Sequence, residues 1–124
     1  MQITGVYAAI LSLIFMFLSV RVISIRRSDK IAIGSGGNAD LERAIRSHAN
    51  FAEYVPLALI LMLLVEKPDT LLAIHVSGVT LIIARCAHAY GMMTKEFLFR
   101  VIGVGGTFCI IIALSITLLL RQVL

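Results

Sequence analysis

Five side chains in the middle of this 124-residue sequence have the types and spacing to hold a small charged molecule: Arg43, Arg46, Asn50, Glu53 and Tyr54. Pro56 and the apolar run 57–65 follow at once. On a helix turning about 100° per residue, with Arg43 at zero, Arg46 falls near 300°, Asn50 near 340°, Glu53 near 280° and Tyr54 near 20°. All five share an arc of roughly 100°. Two guanidiniums suit carboxylates, the Glu53 carboxylate suits an ammonium, and the Asn50 amide suits a peptide group. The pattern asks for a zwitterionic, peptide-like ligand. A plainer arrangement uses the same residues: Arg46 and Glu53 neutralise each other while Arg43 snorkels to the headgroups. In either case such groups within an apolar segment face a protein interior, a partner or a ligand, because lipid cannot solvate them.

Other polar residues carry less specific signals. His48 falls near 140° on the same wheel, so it serves a neighbouring subunit's pocket or is solvated at the helix start. Arg85 and His88, three residues apart, share one face of a later apolar stretch. An interhelical hydrogen bond accounts for His88, whereas an arginine inside such a stretch is harder to explain by structure alone. Arg100 opens the last apolar stretch, as a site residue or as one more flanking cation. His75 has no polar companion in the sequence and reads as structural, and Tyr90 suits an interfacial aromatic belt. Pro56 frees the Ala52 carbonyl and is expected to kink its helix, for a ligand, a water or shape alone. Gly103, Gly105, Gly106 and Thr107 form a small-residue face for close helix packing. They lack the signature of a phosphate loop. Cys86 and Cys109 form no C-x-x-C pair, so neither a disulfide nor a metal site is indicated.

The elements that must position these residues are membrane helices. Apolar residues make up 60% of the chain, against about 45–50% in an ordinary soluble domain. Four stretches are long enough to cross a bilayer, which takes about 20 helical residues. The expectation is an all-α membrane protein, one four-transmembrane-helix bundle over 1–124, with helices at about 3–27, 41–65, 70–91 and 97–121. The first stretch lacks a basic leading region and has too long an apolar run for a signal peptide. Ser35, Gly36 and Gly37 read as a flexible loop, with Asn38 or Asp40 as the following N-cap. Residues 66–69 read as a tight turn, and Gly91 and Thr94 as the end of helix three and cap of helix four. No repeat of 20–50 residues is present.

Charge sets an expected orientation. Nine of the eleven Lys and Arg residues (Arg21, Arg26, Arg27, Lys30, Arg43, Arg46, Arg85, Lys95 and Arg100) lie on or near the side of the first and third loops, and only Lys67 and Arg121 lie opposite. That side is therefore expected to be cytoplasmic, with both termini outside, consistent with a bacterial inner membrane. The asymmetry also accounts for the net charge of +4. With no basic patch interleaved with aromatics, nucleic acid is not an expected partner.

The segment 42–57, ERAIRSHANFAEYVPL, resembles the second-helix signature of the MAPEG family, the membrane-associated proteins in eicosanoid and glutathione metabolism. Residues 22–27, VISIRR, are similar to the end of the first helix in the family's leukotriene C4 synthase, and the microsomal glutathione transferases share the four-helix plan. The resemblance implies a homotrimer with glutathione as co-substrate, bound between subunits on the cytoplasmic side. Carried over by position, Arg46, Asn50, Glu53 and Tyr54 would bind glutathione from one chain, with His48 and Arg26 reaching in from its neighbour. His88 falls where the family places an aromatic or histidine ligand. Arg100 falls near the arginine that stabilises the thiolate, and Arg27 where a second arginine would assist the other substrate. In one departure, Met92 stands where eukaryotic members have a tyrosine.

The resemblance implies a glutathione transferase, with peroxidase activity also open to it, acting on lipophilic electrophiles dissolved in membrane lipid. A noncatalytic lipid-binding scaffold of the same fold is the alternative from another class, although a scaffold has no need of Arg46, Asn50, Glu53 and Tyr54. A small proton-coupled transporter needs a titratable acid deep in a span. Glu53 is the one candidate, and nearby arginines are expected to keep it ionised.

Overall fold

A computed structural model of the protein describes residues 2–124, and four long helices account for nearly all of them: α1 (Ile3–Asp29), α2 (Ala39–Val65), α3 (Leu71–Thr94) and α4 (Phe97–Val123). Each is long and apolar enough to cross a membrane, at roughly 36–40 Å for 24–27 residues. Large apolar side chains cover the outside, among them Leu13, Phe17, Ile83 and Ile112, each more than half exposed. A bilayer suits such a surface and water does not.

The helices run slightly longer than the sequence suggests, and their ends show why. Lys30 adopts a left-handed conformation (φ 55°) that closes α1 with hydrogen bonds back to the Arg26 carbonyl. Asn38 is the N-cap of α2, its side chain accepting from the amides of Asp40 and Leu41. Gly91 does not end α3. The helix continues to Thr94 and stops at Lys95 (φ 65°), and Glu96 rather than Thr94 precedes α4. Residues 68–70 form a short 3-10 turn between α2 and α3. α2 itself runs unbroken through Pro56.

Helix α2 touches the other three helices, α1 packs on α2 and α3, and α4 packs on α3 and α2. The core is a column of apolar residues including Leu11, Leu18, Phe51, Ala58, Met62, Ile74 and Leu81. The α3–α4 seam is the closest, and glycine makes it so. A methyl group at Gly103 would sit 2.6 Å from the Ala84 carbonyl oxygen and from His88 Cβ, and one at Gly91 would sit 2.7 Å from the Arg100 amide nitrogen. Gly91 is therefore a contact point that seats the first turn of α4, not a helix stop.

Candidate functional site

On α2, the inner face carries Leu41, Ala44, Phe51, Val55 and Ala58 into the core. The arc next to it carries the polar residues. Arg43 is drawn off to the start of the helix, where it pairs with Asp40. Arg46 and Glu53 are both exposed, and neither has a hydrogen-bond or ion-pair partner among the described residues. The internal Arg46–Glu53 pair that their spacing allows is therefore not formed. Glu53 lies fourteen residues from the first residue of α2 and twelve from its last, at the middle of a helix long and apolar enough to cross a membrane. Lipid there cannot cover an exposed charge.

Behind this face stands Arg85, whose place inside an apolar stretch was hard to explain by structure alone but which the resemblance gave no role. It is 2% exposed. Its Nη1 donates to Asn50 Oδ1 and its Nη2 to the Gly103 carbonyl, both at 2.7 Å, so one guanidinium joins α2, α3 and α4. The Gly103 carbonyl also accepts from the Thr107 hydroxyl at 2.9 Å. The signal available in the sequence was the arginine itself, alone within an apolar stretch that a simple lipid-facing helix would fill with aliphatics. Tyr54, half-buried one turn after Asn50, packs its ring against Phe108 of α4 with centroids 5.2 Å apart. It also lies within electrostatic reach of Arg85.

The structure places the remaining candidates in other surroundings. His88 is buried in the α3–α4 seam against Gly103, within electrostatic reach of Arg85 and Arg100 but off the exposed face that holds Arg46 and Glu53. Met92, in the position of the family's tyrosine, is also buried. His48 turns toward α1 of its own chain, stacked on Phe15 (4.6 Å) with Nε2 2.9 Å from Ser19 Oγ. Arg26 donates to the carbonyls of Gly34 (2.8 Å) and Ile31 (3.4 Å), fastening the first loop to α1. Arg27 stands free beside it, and both line an open groove of about 380 Å³ with Ile23, Lys30 and Ile31. Arg100 is exposed at the first turn of α4, its backbone seated on Gly91.

Within one chain these residues form an outer face and not an enclosed pocket. Arg46, Glu53 and the half-buried Asn50 and Tyr54 come from α2, Arg85 supports them from α3, and Arg100 lies toward the loop end of α4. Chemically the face offers cations, one carboxylate, an amide and a phenol.

Comparison with known proteins agrees with the motif and the fold. The inner membrane protein YecN of Escherichia coli, in two strains, is 34% identical over 110 residues, covering 87% of this chain and 83% of its own length. The model of the MAPEG family matches residues 4–120. With that match across all four helices, this integral membrane protein belongs to the MAPEG family.

Proposed function

We propose that the protein is a membrane-bound glutathione transferase, with peroxidase chemistry open to the same thiolate, working as a homotrimer whose sites lie between subunits. One observation carries this reading: Arg46 in the second turn of α2 and Glu53 at its middle are both exposed and have no partner among the described residues, beside an Asn50 held from behind by a buried arginine. Charges in an apolar segment call for a protein partner or a ligand to cover them. A glutathione molecule held by a second subunit supplies both, with its carboxylates for Arg46 and its ammonium for Glu53.

In this reading Asn50 and Tyr54 hydrogen-bond the peptide, and the thiol lies toward Arg100. A guanidinium stays protonated at any accessible pH, so Arg100 stabilises the thiolate without titrating. The thiolate attacks a lipophilic electrophile arriving through the bilayer. A carbon–sulfur bond forms after the thiol proton has passed to water; in a substitution the leaving group departs with its bonding pair, and in an addition the broken π bond's pair stays on the substrate as a carbanion or enolate that takes a proton from water. The protein contributes proximity and a fixed cationic environment. Arg27 is placed to steady the second substrate, and Arg26 and His48 shape the neighbour's side of the site. The excess of Lys and Arg on the first and third loops puts the site on the cytoplasmic side of the inner membrane.

A thermal-shift titration of detergent-solubilised protein tests this with glutathione, free cysteine and a lipid. Glutathione alone should raise the melting temperature in a saturable way. The wild-type complex should also show thiolate ultraviolet absorbance at neutral pH, which Arg100→Leu should remove while leaving binding largely intact. A lipid shift with none from glutathione supports the scaffold reading instead.

A further inference from the structure

Among the described residues Arg85 is the largest fully buried side chain, and no carboxylate among them pairs with it. Its Nε is buried without a hydrogen-bond partner among the described residues. A charge kept in such a place costs stability, and an apolar residue of similar size would often be tolerated better. What the arginine does instead follows from hydrogen-bond chemistry. A guanidinium has five N–H donors and no acceptor, so the amide atom that faces it can only be oxygen. The 2.7 Å contact with Asn50 Oδ1 therefore fixes which way the amide points. The two N–H donors of Nδ2 are turned away from Arg85, and no described residue accepts from them.

The other contact of Arg85 anchors this arrangement. Nη2 holds the Gly103 carbonyl at 2.7 Å, and Gly103 can approach α3 because it lacks a side chain. The guanidinium is thus held at both ends of its fork and cannot swing away from Asn50. Its charge also polarises the amide, strengthening the outward N–H groups as donors.

We propose that Arg85 is a positioning residue that locks the Asn50 side chain as a donor, so that Asn50 takes an acceptor group of the ligand, a carbonyl or carboxylate, and discriminates against an N–H at that point. This inference rests on the glutathione reading and deepens it: Asn50 takes a peptide carbonyl or carboxylate of glutathione, never the peptide N–H.

A double-mutant cycle on glutathione affinity, with full-length protein in detergent, tests the link. Asn50→Ala should weaken binding about tenfold in the wild-type background and less than twofold in Arg85→Met, where the amide is already free to turn. A purely structural role for Arg85 would lower affinity in both backgrounds and leave the Asn50→Ala ratio unchanged; that result overturns the proposal. Asn50→Asp gives a second measurement should Arg85→Met fail to fold. It places a carboxylate against Arg85, so the melting temperature should hold or rise while glutathione affinity falls about tenfold or more. Wild-type affinity in Asn50→Asp, with Arg46→Ala impaired, overturns the inference alone. Folded wild-type protein that does not bind glutathione overturns the functional reading and the inference together.

Discussion

The two ends of the bundle differ in how many of their charges the chain itself satisfies. At the end that holds the chain termini, Glu66, Asp69 and Arg121 are satisfied within the chain. Glu66, just past α2, accepts from the first amides of α1, Ile3 at 2.6 Å and Thr4 at 2.9 Å. Gln2, in the N-cap position, offers no side-chain bond of its own, so the cap comes from 63 residues away. Arg121 reaches back from α4 to Asp69 (2.6 Å) and to the Val65 carbonyl (3.2 Å). The half that leads to the first and third loops instead leaves Arg46, Glu53, Arg27 and Arg100 exposed. One end is closed by the fold, and the other presents its charges to something outside the chain.

The comparison breaks most decisively at the open half. Arg46→Ala and Glu53→Ala should each weaken glutathione binding by about 1.5–3 kcal/mol, roughly ten- to a hundredfold, as expected for a lost charge-assisted contact. Both should leave the melting temperature of the free protein nearly unchanged, since neither group has a partner to lose. Affinity unchanged in both would mean that the open charges serve no ligand. Isothermal titration in detergent distinguishes the outcomes.

The seam between the two halves should respond next. Gly103→Ala puts a methyl 2.6 Å from the Ala84 carbonyl oxygen and from His88 Cβ, so α3 and α4 must separate. Overpacking of this kind costs about 1–3 kcal/mol, and it should also lower glutathione affinity by shifting the Gly103 carbonyl that holds Arg85. A melt combined with the binding assay reports both effects.

At the closed end the effects are smaller and depend on pH. The nearby Thr4 side chain, together with the amides of Thr4 and Ile3 that donate to it, holds the Glu66 carboxyl below its ordinary value. A carboxyl depressed in the folded state contributes stability that is present above its unfolded pKa and is lost as pH falls through the folded one. The wild type should therefore lose stability on acidification below about pH 4, and Glu66→Gln should lack that component of the acid limb. At neutral pH Glu66→Gln should cost about 1 kcal/mol, the usual scale of a helix cap. Identical acid limbs in the two proteins would place the acid sensitivity elsewhere. Arg121→Ala should matter least, under about 1 kcal/mol, because Asp69 is largely exposed and surface ion pairs are weak. A larger loss in a chemical melt would show that the bond to the Val65 carbonyl dominates.

Several residues mark the boundary between what could be read early and what could not. His75 looks isolated in sequence, yet its Nδ1 lies 2.8 Å from the Tyr7 hydroxyl on α1. Gly78 leaves the space for that ring, since a methyl there would meet it at 2.3 Å. Gly91 carries a helix-ending signal but serves a helix contact. In both cases the deciding partner is some ten to seventy residues distant, and no local pattern encodes it.

By itself the sequence determined the four helices, their approximate ends, the membrane setting and the polar arc on α2. Those follow from hydropathy, helical period and loop chemistry, which act between near neighbours. Tertiary packing alone decided which of those polar groups are tied down and which stay open. It gave Glu66 to the amides of α1, His48 to Ser19 and Arg26 to the first loop, and it left Arg46 and Glu53 without partners. It also placed Arg85 behind Asn50. A side chain's hydrogen bonds depend on which helix faces it and at what depth, and that is fixed only when glycine contacts such as Gly103 set how closely the helices meet.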